Sequence, residues 1–210
     1  MLNSIKQVLK KTLPDDVIKF RRDVEARRAW EKQGRPSPPP HVVKEELIRD
    51  YAHKFNTRVL IETGTYLGDM VHAMKKSFAR IVSFELDQQL AEQARARFAA
   101  ESHIEIMQGD SGRLLGDLLK TIDEPCLFWL DGHYSGGITA KGVLETPIKN
   151  ELNFILSHPI KNHVILIDDA RCFTGENDYP TLDELQHLVN DQKRDLKFSV
   201  EHDCIRIHPA

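Results

Sequence analysis

The 210 residues include 29 basic and 32 acidic side chains, for a formal net charge of -3, and 40% of them are hydrophobic. This composition suits a globular chain with one core and lacks the strongly basic balance of a nucleic-acid-binding protein. Cys126, Cys172 and Cys204 show no CxxC spacing, which argues against a disulfide framework or a zinc site. With no membrane-length apolar run and no signal-peptide block, we expect a cytoplasmic protein without an integral membrane segment.

Residues 1–40 are predicted to form a helical arm and linker ahead of a folded domain, residues 41–210. Residues 1–34 contain nine Lys or Arg against five Asp or Glu, and the proline cluster Pro36 to Pro40 indicates a stiff, extended linker. The arm has a short apolar stripe that must be covered by its own subunit, by a partner subunit or by an anionic membrane. Because acidic residues interrupt its basic face, we favour contact with protein, across a homodimer, and rank the membrane last.

Short apolar strands alternate with helices along the rest of the chain. The predicted strands cover residues 57–62, 80–85, 103–108, 126–131, 162–168, 196–200 and 204–208. Helices are predicted at 41–55, 67–78, 87–100 and around 114–119, then in a segment ending near 156 and in one opening at the capping box Thr181 to Glu184. This alternation predicts an α/β fold, a Rossmann-like, doubly wound and mostly parallel sheet with an antiparallel C-terminal strand.

Each of the first five predicted strands ends at an acidic residue. The strand ends read Glu62-Thr-Gly64-Thr-Tyr66-Leu-Gly68, then Glu85, Gly109-Asp110-Ser111, Asp131-Gly132-His133 and Asp168-Asp169. Taken singly, Glu85 is consistent with a solvated strand end and Asp110 with a helix cap. Because ligands of parallel sheets bind at the carboxyl ends of the strands, the ordered recurrence favours a nucleoside site.

The glycine pattern after the first strand separates two kinds of nucleoside site. A dinucleotide site requires G-x-G-x-x-G, and its second glycine lets the backbone approach the pyrophosphate. Tyr66 stands at that position. The pattern therefore excludes an NAD-dependent oxidoreductase and favours a ligand without a pyrophosphate, S-adenosylmethionine.

The segment Glu62 to Gly68 resembles the first motif, E/D-x-G-x-x-x-G, of class I S-adenosylmethionine-dependent methyltransferases. The resemblance covers about residues 41–208. It implies cofactor binding by Glu62, Gly64, Tyr66, Gly68 and Asp131, ribose binding by Glu85, and contacts near the adenine by Asp110 and Ser111.

A narrower resemblance concerns the fourth and fifth strand ends. Metal-dependent O-methyltransferases of the catechol and macrolide-sugar types place an Asp and then an Asp-Asp or Asp-Asn pair there, which implies that Asp131, Asp168 and Asp169 are ligands of Mg²⁺. Magnesium is a hard cation that takes oxygen ligands and promotes deprotonation of a bound hydroxyl. Alternatively, Asp168 and Asp169 only cap a turn, or Asp131 serves only the cofactor. Neighbouring carboxylates repel unless a cation lies between them, which favours the metal.

The catechol-type family has a lysine base shortly after the first Asp, and this chain departs from that pattern. Here the sequence is Asp131-Gly-His133-Tyr134, so we expect His133 to act as the base beside Asp131, with a role as metal ligand as the alternative. The glycine-rich loop from Gly132 to Gly142 is either a lid that holds an anion, such as the phosphates of a nucleotide-sugar, or an ordinary connection.

These observations predict a magnesium-dependent O-methyltransferase that acts on a hydroxylated small molecule. A sugar or glycan precursor is slightly preferred, on the macrolide-sugar resemblance and the absence of a basic nucleic-acid face. The alternative is a non-catalytic module that binds S-adenosylmethionine or a related nucleoside and acts through protein partners.

Overall fold

The computed structural model describes residues 14–132, 146–191 and 195–210. The predicted base His133, nearly all of the glycine-rich loop and the first part of the arm, residues 1–13, lie outside them. The described strands are β1 (Val59–Thr63), β2 (Arg80–Glu85), β3 (Ile104–Gln108), β4 (Cys126–Leu130), β5 (Val164–Ile167), β6 (Leu196–Glu201) and β7 (Cys204–Pro209). The described helices are α1 (Asp15–Lys32), α2 (His41–Phe55), α3 (Asp69–Met74), α4 (Gln88–Arg97), α5 (Ser111–Leu119), α6 (Ile148–Ser157) and α7 (Leu182–Asn190).

The described strands form one sheet in the order β3-β2-β1-β4-β5-β7-β6. Strands β1 to β5 pair in parallel, and β7 is antiparallel to both of its neighbours, β5 and β6. The predicted Rossmann-like sheet with an antiparallel C-terminal strand is therefore confirmed.

The sheet has a hydrophobic core on each face. Along β4, Phe128 belongs to the cluster that packs under α5 and α6, whereas Leu127 and Trp129 belong to the cluster under α2, α3 and α4. Successive side chains of a strand point to opposite faces, so a strand covered on both sides must be apolar throughout. Every residue of β4 is buried, as its uninterrupted apolar sequence predicts.

Helix α1 of the arm packs against α2 of the same chain. Lys19 contacts Glu45 at 3.0 Å and Arg27 contacts Glu46 at 2.9 Å, and Trp30 is buried. Helix α2 of the same chain therefore packs against the arm. The homodimer remains a prediction. Within the described ranges, no helix has the length and apolar character needed to cross a membrane.

The predicted boundaries of two helices are wrong. The helix predicted at 67–78 is a short α3 that begins only after Gly68, because Gly68 has a left-handed backbone at φ 76° and occupies the N-cap position. It ends at Met74, whose carbonyl accepts a hydrogen bond from the amide of Ser77 at 2.8 Å. The helix predicted around 114–119 begins earlier, at Ser111, because the side chain of Asp110 caps it.

Candidate active site

The order in which successive strands are added to the sheet reverses between β1 and β4. From β1 the strand order runs to β2 and β3 on one side, and from β4 it runs to β5 on the other. In open α/β sheets the crevice at such a switch point, at the carboxyl ends of the strands, is where ligands bind. The predicted site residues therefore lie along the expected rim.

A tight turn at Gly64 leads out of β1 into this crevice. Gly64 has φ 90°, and its amide donates to the carbonyl of Phe84 at 2.9 Å. A Cβ atom at Gly64 would lie 2.5 Å from the carbonyl oxygen of Asp131. Both the backbone conformation and the close approach of the β4 end thus require glycine.

The carboxylate of Glu85 holds this turn from the end of β2. Its Oε2 accepts from the backbone amide of Tyr66 at 2.6 Å, and its Oε1 accepts from the amide of Asp87 at 2.9 Å. Burial raises the pKa of Glu85, and hydrogen bonds from the backbone amides of Asp87, Tyr66 and Leu86 oppose that effect. Since a carboxylate has about four acceptor positions, these three amides leave room for a ribose hydroxyl.

Glu62 is a buried carboxyl group beneath the turn. It is 1% exposed and accepts a hydrogen bond from the Ser83 hydroxyl, which lies 2.6 Å from the hydroxyl of Thr65. Burial, with smaller contributions from the charges of Asp131 and Glu85, raises the pKa of Glu62 to about 8, although the Ser83 hydrogen bond opposes the shift. Glu62 therefore carries a proton at neutral pH.

The predicted adenine-side pair follows β3. Asp110 caps α5 by accepting from the amide of Gly112 at 2.9 Å, so the helix-cap role considered for it is present. The hydroxyl of Ser111 donates to the buried carboxyl of Glu151 at 2.6 Å. Contacts of Asp110 and Ser111 with adenine stay predictions.

Glu151 is a site-proximal carboxyl group that the sequence analysis missed. Burial, together with the charge of Asp110, raises its pKa to about 7 against the opposing hydrogen bonds of Ser111 and Thr63. A signal was present, because Glu151 falls among Ile148, Leu152 and Ile155 on the apolar face of α6. An acidic residue at a core position of a helix indicates a buried polar contact.

The aspartates of the fourth and fifth strand ends lie on the same rim, and a lysine from α2 reaches them. The Asp168 amide donates to the carbonyl of Leu130 at 3.0 Å, which joins the end of β5 to that of β4. Lys44 Nζ donates to Asp168 Oδ2 and lies 3.9 Å from Asp169 Oδ1. Burial lowers the pKa of Lys44, but the charges of Asp168, Asp131 and Asp169 outweigh it and the net shift is upward.

A second cation holds Asp169. Its backbone is left-handed at φ 55°, and its Oδ1 accepts from Arg171 Nη1 at 2.6 Å. Arg171 also bonds Asp203, in the turn that joins β6 to β7. Each member of the acidic pair after β5 is therefore paired with a cation of this chain, Asp168 with Lys44 and Asp169 with Arg171, which it shares with Asp203.

The arrangement of these carboxylates does not fit Mg²⁺. The oxygen chemistry of the three aspartates is suitable, but the Lys44 ammonium occupies Asp168 Oδ2 and Arg171 occupies Asp169 Oδ1. Nowhere in the described part of the chain do three His, Cys, Asp or Glu side chains come together to hold a metal ion. Lys44 was missed because nothing in the local sequence of α2 marks it.

A cavity of about 280 Å³ opens beside Lys44 and Asp168. It lies between α1, α2 and the β6–β7 turn, and its polar lining includes Arg35, His202 and Arg206. Trp30 supplies an aromatic wall and donates from its indole nitrogen to the carbonyl of Pro36 at 2.8 Å. The cavity is therefore rich in hydrogen-bonding groups.

No protein-family model and no curated protein matches the sequence. Solved structures of similar fold include the O-methyltransferase TomG of tomaymycin synthesis from Streptomyces achromogenes, in complex with S-adenosylmethionine, at 17% identity over 99% of this chain and 96% of that one, with a TM-score of 0.57. An O-methyltransferase from Bacillus cereus, in complex with S-adenosylhomocysteine, shares 14% identity over 97% of this chain and 96% of that one, with a TM-score of 0.60. The methyltransferase PaMTH1 from Podospora anserina, bound to S-adenosylhomocysteine, shares 15% identity over 100% of this chain and 95% of that one, with a TM-score of 0.56. At these identities the likeness establishes the fold alone, a Rossmann-like sheet that this chain shares with the three methyltransferases.

Proposed function

We propose that this protein is an enzyme that transfers a methyl group from S-adenosylmethionine to a hydroxyl group of a small molecule. The observation that carries the proposal is the turn at Gly64, where the close approach of Asp131 requires glycine, together with the buried carboxylate of Glu85 across from it. This combination supports a nucleoside cradle at the switch point of the sheet. The likeness in fold to complexes of S-adenosylmethionine and S-adenosylhomocysteine gives independent support.

The proposed roles follow the order of the strand ends. Glu85 accepts from the ribose hydroxyls, and the backbone from Gly64 to Gly68, including Tyr66, passes over the nucleoside. Glu62 and Asp131 face the cationic methionine end of the cofactor. Asp110 and Ser111 lie toward the adenine.

S-adenosylmethionine, when bound, supplies an electrophilic methyl group on a sulfonium. Transfer of this methyl group to the acceptor oxygen would break the carbon–sulfur bond and leave its electron pair on sulfur. The acceptor proton passes to a base, for which His133, outside the described residues, stays the proposal. Asp131, at the end of β4, orients the reacting groups.

A polyhydroxylated acceptor, such as a sugar or nucleotide-sugar, is the proposed substrate class. The cavity beside Asp168 supports it, because Arg35, His202 and Arg206 supply hydrogen-bonding groups and Trp30 supplies an aromatic wall in its lining. The magnesium dependence expected from the sequence is left out of the proposal, because Lys44 and Arg171 already bind one carboxylate oxygen each of Asp168 and Asp169.

Calorimetry with S-adenosylmethionine and S-adenosylhomocysteine tests the cofactor, and transfer of a labelled methyl group to a panel of sugars, nucleotide-sugars and catechols tests the reaction. We expect micromolar binding of both nucleosides, no binding of NAD and transfer to a sugar hydroxyl. The absence of heat with both sulfur nucleosides would contradict the proposal. Binding without transfer to any acceptor would favour the non-catalytic module.

A further inference from the structure

We propose that Lys44 is a protein-supplied cation that takes the place of a divalent metal at the carboxyl ends of β4 and β5. Its ammonium nitrogen donates to Asp168 Oδ2 and lies 3.9 Å from Asp169 Oδ1. Together with Arg171, which donates to Asp169 Oδ1, it gives each member of the acidic pair a cation from the protein itself.

Burial makes this counter-ion necessary. Asp168 is 3% exposed, and a carboxylate taken out of water is costly unless a cation and hydrogen bonds compensate it. Among the described residues, Lys44 at Oδ2 is the cation that directly contacts this carboxylate, and the backbone of Asp169 adds a hydrogen bond. The lysine side chain is itself 18% exposed, so most of its surface is also out of water.

The same position excludes a divalent cation in the present arrangement. Mg²⁺ requires oxygen ligands at about 2.0–2.1 Å in a nearly octahedral shell. The ammonium group already binds Asp168 Oδ2, and its positive charge would repel a metal ion bound to the same carboxylate.

Lys44 also supplies hydrogen-bond donors to the acceptor. An ammonium group has three N–H donors, and Lys44 lines the cavity of about 280 Å³ in which we place the acceptor. A donor that Asp168 does not use binds the oxygen of the acceptor hydroxyl and stabilises the negative charge that develops on it as its proton leaves. This step depends on the proposed function, whereas the exclusion of metal does not.

Binding of Mn²⁺, followed by electron paramagnetic resonance, tests the exclusion of metal without any assay of activity. We compare the wild-type chain with Lys44→Gln, which keeps a hydrogen-bond donor but loses the charge, and with Lys44→Arg, which keeps the charge. We expect Lys44→Gln to raise the affinity for Mn²⁺ by about tenfold or more, and Lys44→Arg to leave it as in the wild type. Adding Asp168→Asn to Lys44→Gln should remove the gain.

Two results would overturn the proposal. One is micromolar binding of Mn²⁺ by the wild-type chain that Asp168→Asn abolishes, a measurement that does not depend on the folding of any Lys44 variant. The other is a folded Lys44→Gln chain with no greater affinity than the wild type.

A methyl-transfer assay tests the contact with the acceptor. Wild-type turnover should be unchanged by chelator, and Lys44→Gln should raise KM for the acceptor and lower kcat while leaving cofactor affinity unchanged. Loss of wild-type turnover in chelator, restored by Mg²⁺, would contradict the inference. If no acceptor is methylated at all, the proposed function fails, and the Mn²⁺ measurement still decides the role of Lys44.

Discussion

The backbone amide of Tyr66 donates to the carboxylate of Glu85 across 2.6 Å, so the turn after β1 is tied to the end of β2. Tyr66 has a left-handed backbone at φ 48°, a conformation that costs free energy in a residue with a side chain. The hydrogen bond thus stabilises a strained turn at the rim where the nucleoside is proposed to bind.

Glu85→Ala should weaken binding of S-adenosylmethionine by about 1.5–3 kcal/mol, because charge-assisted hydrogen bonds to ribose are lost and the turn at Tyr66 loosens. Calorimetry gives the dissociation constant directly. The control is Glu92→Ala on the exposed face of α4, which should bind as the wild type does. An unchanged affinity in Glu85→Ala would remove Glu85 from the cofactor site.

Gly64→Ala should abolish cofactor binding and destabilise the fold by more than about 1 kcal/mol, because the new Cβ atom meets the Asp131 carbonyl and φ is positive. Gly34→Ala is a matched control, since Gly34 has φ 83° with no atom within 4 Å of an added Cβ. Urea denaturation and calorimetry of the two variants separate backbone strain from the steric contact. If the two variants lose equal stability and bind the cofactor equally well, the contact of the added Cβ with Asp131 affects neither stability nor binding.

Binding of S-adenosylmethionine should release a proton from Glu62 at about pH 7. Glu62 has a pKa of about 8 in the free chain, and a cationic ligand nearby lowers it. Calorimetry in buffers of different ionisation enthalpy measures the release. Glu62→Gln should abolish the release, and S-adenosylhomocysteine, which lacks the sulfonium charge, should cause less of it. A binding enthalpy independent of the buffer would contradict the assignment.

The buried Glu151 should make the fold less stable as the pH rises. In the unfolded chain this carboxyl releases its proton near its ordinary pKa of 4.5, whereas in the folded chain it keeps the proton up to about 7. The unfolded state therefore binds fewer protons between these values, and stability falls through that window by about 1.4 kcal/mol per pKa unit. Glu151→Gln should flatten this decline in urea denaturation between about pH 5 and pH 8.

Glu176→Gln, in an exposed loop, serves as the control for Glu151 and should leave the pH profile as in the wild type. A profile of Glu151→Gln that also matches the wild type would show that Glu151 ionises normally in the folded chain.

Trp30→Ala should destabilise the fold by about 3–5 kcal/mol, because a buried indole and its hydrogen bond to Pro36 are removed. Phe20→Ala, on the same helix, removes a ring that is 68% exposed and should change the free energy of unfolding by less than about 0.5 kcal/mol. If both variants unfold alike, α1 does not depend on its contact with the domain.

Light scattering after deletion of residues 1–34 separately tests the predicted homodimer.

Much of the fold was determined by local sequence pattern. The prediction of a helix at 41–55 is confirmed residue for residue, and the apolar strand after Cys126 is buried throughout as expected. These predictions succeed because the alternation of strands and helices dictates a parallel sheet, and a parallel sheet collects the ends of its strands on one rim. The recurring acidic residues, from Glu62 to Asp168, lie on that rim for the same reason.

The charge balance of the rim was decided only by the tertiary structure. From the repulsion between neighbouring carboxylates the sequence predicted Mg²⁺ beside Asp168 and Asp169, whereas the structure places Lys44 and Arg171 there. Which cation it is depends on the packing of α2 across the sheet, which brings Lys44 to an aspartate 124 residues further along the chain. Periodicity and motif spacing describe the neighbourhood of a residue along the chain, whereas a contact between distant elements is formed by the core that packs them together. The fold followed from local pattern, and the identity of the counter-ion followed from packing.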